Sequence, residues 1–160
     1  MNTTSRPSDD GSRPVDIIAF KLHNQDFCLE TTGIREIRGR GKSTPIPHAP
    51  PYVLGVMDLR GTVIPIFDLA VKLGMEPADN SERSAIVVAD VNGGIVGLVV
   101  DGVSDLLTIN RSDVQPLPRG SAFAEVDYAH GIITHDLGMI CFLDLDRLFT
   151  GEAATYGIAA

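Results

Sequence analysis

Asn92-Gly93 lies between two short apolar, β-branched runs, Ala85–Val91 and Gly94–Val103. Asn-Gly in that setting is a strong hairpin signal, because both residues tolerate the positive φ that a type I′ turn demands. The same grammar recurs along the chain. Asp16–Leu22 and Phe27–Thr31 flank His23-Asn24-Gln25-Asp26, and Val56–Leu59 and Thr62–Phe67 flank Arg60-Gly61. Leu106–Ile109 follows, then Gly131–Thr134 and Met139–Leu143 around His135-Asp136-Leu137-Gly138. About nine or ten strands at turn intervals of roughly 8–12 residues mark an all-β sandwich or barrel. Ile18, Phe20, Ile64, Ile66, Val87, Val99, Ile133 and Phe142 are the expected core.

Helical signals are short. Asp68–Leu73 has an aspartate suited to an N-cap and Gly74 just past its end. Asp144–Phe149 repeats the form, with Gly151 beyond it. The chain therefore reads as hairpin strands and then a capped short helix, twice, which suits two small barrels built alike. No residue-level alignment of the two halves emerges from the sequence.

At 160 residues the chain suffices for one domain with its own core. Residues 1–14 are polar and read as a disordered tail, and residues 151–160 as a frayed end. The softest internal stretch, Gly74–Ser84, marks an approximate division near 74–84 within a single domain over 15–150. Thirteen Lys+Arg against 21 Asp+Glu give a net charge of −8. That balance argues against nucleic acid, whose binding draws mainly on basic residues, and against an anionic membrane surface. The longest apolar run, Gly93–Val100, is far short of the ~20 residues a membrane helix needs. Cys28 and Cys141 sit in apolar stretches and read as buried thiols in a reducing compartment.

No catalytic or cofactor pattern survives inspection. Gly41-Lys42-Ser43 resembles the end of a phosphate-binding loop, but Glu36 holds the first glycine position. Thr44-Pro45-Ile46-Pro47 then forbids the helix that such a loop requires. His23, His48, His130 and His135 lack metal-binding spacing, and His130 and His135 lie at opposite ends of one expected strand. Asp101, Asp105, Asp144 and Asp146 suit strand ends and helix caps better than an acid–base pair. A non-enzymatic binding module without metal or cofactor is the expectation.

Two segments carry the functional signal. From Val53 to Phe67 the charged residues are Asp58 and Arg60, set in an apolar surround. Arg60 is either a turn-fixing partner of a carboxylate or an interface anchor. Ile34-Arg35-Glu36-Ile37-Arg38-Gly39 alternates charge with isoleucine, as an edge strand with one solvated face or a contact surface would.

Together with Val99–Leu107 (VVDGVSDLL), the blocks Ile34–Gly39 (IREIRG) and Leu54–Asp68 (LGVMDLRGTVIPIFD) resemble the CheW family of bacterial chemotaxis coupling proteins. Their order and separations match that family, and the likeness extends from about Asp16 to Phe149. Asp58 stands where the family's middle block commonly has asparagine. The resemblance implies two five-stranded SH3-like β-barrels sharing a core, with short helices after each barrel's strands. It implies a non-catalytic adaptor joining the cytoplasmic tip of chemoreceptors to the regulatory domain of the histidine kinase CheA. It places the protein in the cytoplasm, in receptor arrays at the inner membrane where couplers and kinase domains alternate in rings. By motif match, Ile34, Glu36, Ile37, Arg60 and Leu106 fall where the family meets the receptor, and Gly55 and Gly61 in the block tied to the kinase. A coupler of a related receptor–kinase pathway such as pilus motility is the alternative. An enzyme or ligand-binding barrel is a third possibility, with less to support it.

Overall fold

The structure, a computed structural model, describes residues 13–117, 128–136 and 138–150. The expected disordered tail, residues 1–14, lies outside these residues except for Arg13 and Pro14, the latter opening β1, and the expected frayed end, residues 151–160, lies outside them. The elements run β1 (Pro14–Leu22), β2 (Gln25–Glu30), β3 (Ile34–Gly39), β4 (Val53–Leu59), β5 (Thr62–Asp68) and α1 (Leu69–Lys72). They continue with β6 (Ala85–Val91), β7 (Gly94–Val100), β8 (Gly102–Asn110), β9 (Val114–Gln115), β10 (Ala129–His135), β11 (Gly138–Leu143) and α2 (Leu145–Leu148).

The hairpin turns follow the expected chemistry. Asn92 and Gly93 both have positive φ, as do Arg60 and Gly61, and His23 and Asn24. Asp68 and Asp144 cap the two helices by accepting the amides of Val71 and Arg147. One expected strand, Gly94–Val103, is broken at Asp101. Its two carboxylate oxygens accept the amides of His23 and Asp79, each at 2.7 Å. That fixes a corner where the chain leaves one sheet for the other.

The strands form a six-stranded sheet, β8-β1-β2-β11-β10-β9, and a five-stranded sheet, β3-β6-β7-β5-β4. All neighbours are antiparallel except β2 with β11 and β5 with β7. The family resemblance implied two five-stranded barrels. Among the described residues one sheet has six strands and no ladder closes either sheet into a barrel. Short β9 adds the sixth strand on the free edge of β10. Between β3 and β4 the chain supplies only an isolated bridge, Thr44 to Val56, so no strand returns from β4 to β3.

Most of the inter-sheet core comes from Ile18, Phe20, Phe27 and Leu29 on one sheet and Phe67, Val87, Val96 and Leu98 on the other. Each sheet buries its second face as well, around Ile17, Ile133 and Phe142 in one case and Ile64, Ile86 and Val99 in the other. All eight residues expected in the core are buried.

The registers align the two halves of the chain. Asp68 N–H donates to Tyr52 O and Asp144 N–H to Tyr128 O, each at 2.7 Å. The β4–β5 ladder slips at Gly55 and the β10–β11 ladder at Gly131. Tyr52, Gly55 and Asp68 are thus separated from Tyr128, Gly131 and Asp144 by one constant offset. A second constant offset relates β1-β2-β3 to β6-β7-β8. Arg35 is skipped where β3 pairs with β6, and Ser104 where β8 pairs with β1. The hairpins are exchanged between halves. The β1–β2 hairpin sits inside the sheet built by β8–β11, and β6–β7 sits inside the sheet built by β3–β5. The stretch 74–84 joins α1 to β6 and lies between the repeats.

Candidate functional site

β3 and β8 are the outer strands on matching sides of the two sheets, and the repeat makes them equivalent. Between them the inter-sheet core opens as an apolar groove of about 460 Å³. Ile17 and Ile18 of β1 line it, with Ile34 and Ile37 of β3 on one side and Leu106 and Leu107 of β8 on the other. Strict alternation would put Ile34 and Ile37 on opposite faces of a strand. The bulge at Arg35 corrects this: the extra residue brings both isoleucines to the groove side. Ile37 pairs with Val87 and Leu106 with Ile18, so the two occupy corresponding places across the groove. Ile37 is 43% exposed and Leu106 69%. Clustered exposure of large apolar side chains marks a contact surface.

The structure separates the five candidate receptor residues into two sets. Glu36 pairs with Val88, whose side chain belongs to the cluster on the other face of the five-stranded sheet. There the Arg60 guanidinium, reaching from the β4–β5 turn, donates to the Glu36 carboxylate. Arg38 Nη1 stands 3.8 Å from the same carboxylate. Glu36 and Arg60 border a smaller depression of about 260 Å³ with Leu59 and Ile64. Asp58 does not hold Arg60; its Oδ1 accepts the Gly61 amide at 2.9 Å and fixes the turn. The candidate kinase residues Gly55 and Gly61 share this hairpin. A Cβ at Gly55, where φ is +147°, would lie 2.2 Å from Thr44 O, whereas one at Gly61 would meet open space. Val63 beside them is 66% exposed, and its repeat equivalent Met139, beside the β10–β11 turn, is 71% exposed.

Sequence spacing gave no hint of one cluster. His23, Asp79 and Asp101 converge, with potential ligand atoms all within 4.8 Å of one another. His23 and Asp101 are 78 positions apart, which no local motif could reveal. His23 Nε2 lies 2.8 Å from Glu76 O. That carbonyl, with the Asp101 and Asp79 carboxylates, raises the imidazole pKa above its ordinary 6.5 against a lowering by burial. These bonds fasten the 74–84 stretch to the β1–β2 turn.

Cys28 and Cys141 are buried, and burial pushes the Cys141 thiol up to about 11 and Cys28 higher still. Neither is a thiolate nucleophile near neutral pH. Gly41-Lys42-Ser43 is irregular and leads into the bridge at Thr44, not a helix. Among the described residues no helix is long and apolar enough to cross a membrane.

A mostly β chain with an apolar groove and two exposed apolar side chains, Val63 and Met139, at matching places beside two hairpin turns has the surface of a binding scaffold. Residues 16–153 match the CheW-like domain family, and the chain belongs to it. It is a scaffold protein of the chemotaxis CheW type and not an enzyme. It is 47% identical over 135 residues to a probable chemotaxis protein CheW of Rhizobium etli, covering 84% of this chain and 87% of that one. It is 43% identical to a chemotaxis protein CheW of Rhizobium meliloti, covering 95% and 97%. The crystal structure of the scaffolding protein TtCheW from Thermoanaerobacter tengcongensis superposes with a TM-score of 0.77 at 28% identity, covering 86% of this chain and 94% of that one.

Proposed function

We propose that this protein couples the cytoplasmic tip of transmembrane chemoreceptors to the regulatory domain of the histidine kinase CheA. The observation that carries the reading is the apolar groove between equivalent strands β3 and β8, with Ile37 and Leu106 facing each other across it. Such a groove suits the apolar face of an amphipathic helix. Ile34, Ile37 and Leu106 supply apolar area, and the Glu36–Arg60 pair, on the opposite face of β3 from the groove, adds orientation and partner choice where the partner wraps the β3 edge. Kinase contact falls on the β4–β5 hairpin, where Gly55 and Gly61 shape the backbone and Val63 is exposed. Exposed Met139, beside the matching turn, supports a second contact, and membership of the family supports alternating arrays in the cytoplasm at the inner membrane. A separate buried cluster on the second face of each sheet supports the SH3-like description, and the position of 74–84 between the repeats supports a division there.

The test measures affinity for a receptor-tip fragment and for the kinase regulatory domain, using Leu106→Asp and Val63→Asp. Leu106→Asp is expected to lose the receptor fragment and keep the kinase domain, and Val63→Asp the reverse. Two variants that bind both partners like the wild type would overturn the proposal.

A further inference from the structure

We propose that Asp16 sets the direction in which a helix lies in the groove, by pairing with a lysine or arginine at one end of that helix's apolar stripe. The inference rests on the receptor reading of the groove and adds the chemistry of its occupant. Ile37 and Leu106 correspond under the internal repeat, as do Ile34 and Val103. A helix and the same helix reversed therefore meet the matched pair Ile37 and Leu106 alike, one from each side. Apolar burial is non-directional and cannot choose between them.

Charge can choose. Asp16 is the charged residue that lines the groove. It pairs in register with Thr108, whose hydroxyl donates to Asp16 Oδ1 at 2.7 Å and fixes the carboxylate. The repeat places Ala85, paired with Gly39, at the corresponding position. So the twofold likeness is broken by a carboxylate at one place and two small neutral residues at the other. Neighbouring charges are engaged elsewhere: Arg35 with Asp90 at 3.0 Å, Glu36 with Arg60, and Asp105 with the Leu106 amide at 2.9 Å. An occupant with one cation beyond the end of its apolar stripe meets Asp16 in only one of its two directions.

The experiment uses three synthetic amphipathic helices with one leucine–isoleucine stripe. One carries lysine at the N-terminal end of the stripe, one at the C-terminal end, and one has glutamine at both. Each bears a nitroxide at its N-terminus, and broadening of the Thr108 and Gly39 amide signals of the full chain reports direction. The two lysine helices are expected to lie in opposite directions and to bind about two- to fivefold tighter than the glutamine helix at low salt, the range for an exposed ion pair. Asp16→Asn, which keeps the acceptor for Thr108, is expected to abolish both effects. Binding that depends on Leu106 but shows no lysine-set direction, or a direction unmoved by Asp16→Asn, overturns this inference alone. Binding of none of the helices, or binding indifferent to Leu106→Asp, overturns the groove reading and this inference with it.

Discussion

Arg60 and Glu36, 24 residues apart in the chain, form an ion pair that ties the β4–β5 turn to β3 at the far edge of the same sheet. The Arg60 side chain is 69% exposed, so water screens the pair and the fold draws little stability from it. The turn itself depends on Asp58 and Gly61. Arg60→Ala and Glu36→Ala are each expected to cost under about 1 kcal/mol of unfolding free energy. Under the proposed function each weakens receptor-tip binding by ~1–3 kcal/mol, the range for losing a charged bond at a desolvated anchor. Urea denaturation and calorimetric titration measure the two quantities. A large stability loss with unchanged receptor affinity would make the pair a structural clamp.

Gly55 and Gly131 are the strictest backbone positions. Both have positive φ, and an added Cβ at either would lie 2.2 Å from a carbonyl oxygen, Thr44 O or Gln115 O. Neither oxygen can move without breaking strand pairing. Gly55→Ala and Gly131→Ala are each expected to destabilise by about 2–4 kcal/mol, combining backbone strain with the clash. Gly61→Ala, with open space around it, should cost less than either. Thermal unfolding of the three variants checks the ranking.

The exchanged hairpins predict an unusual dependence of the halves on each other. Fragments 13–79 and 80–150 each lack the hairpin at the centre of their own sheet. Each alone is expected to show no cooperative unfolding transition, and the two mixed should recover native-like near-ultraviolet circular dichroism. A fragment that folds alone would contradict the exchange.

His23 gives a pH dependence whose sign follows from its raised pKa. The folded protein holds the proton more tightly than the unfolded chain. The stabilisation is complete below the ordinary pKa of 6.5 and is lost as pH rises through the higher folded value. His23→Gln is expected to flatten the stability profile across that window. Imidazole signals followed by NMR should show His23 titrating above 6.5. A midpoint at or below that value contradicts the assignment.

What was legible in the sequence is what short-range chemistry determines. Asn92-Gly93 turned where expected, Asp68 and Asp144 capped the two helices, and the eight core residues are buried. The chain beyond Val100 was harder, because a single Asp101 before Gly102 and Val103 need not end a strand, and the break depends on that carboxylate accepting the amides of His23 and Asp79. The bulge at Arg35 left no trace in residue type, so Ile34 and Ile37 could not be assigned to one face beforehand. The repeat stayed hidden for a related reason. Its identities, among them Tyr52 with Tyr128, Gly55 with Gly131 and Asp68 with Asp144, are scattered among changed pairs such as Val63 with Met139 and Glu36 with Asp105, and two different offsets relate the two parts of the chain. Barrel closure is a question of which distant edges meet, and no local pattern in this chain encodes it.

The exchanged hairpins also fix how this molecule can respond to load. Each sheet holds at its centre a hairpin whose covalent continuation lies in the other sheet, through Glu30–Ile34 and Val100–Gly102. Sliding one sheet past the other strains backbone at both crossings and disturbs ladders on both sides. A hinge has no soft axis here. Under the proposed function, a push delivered at the groove is therefore expected to tilt both sheets together.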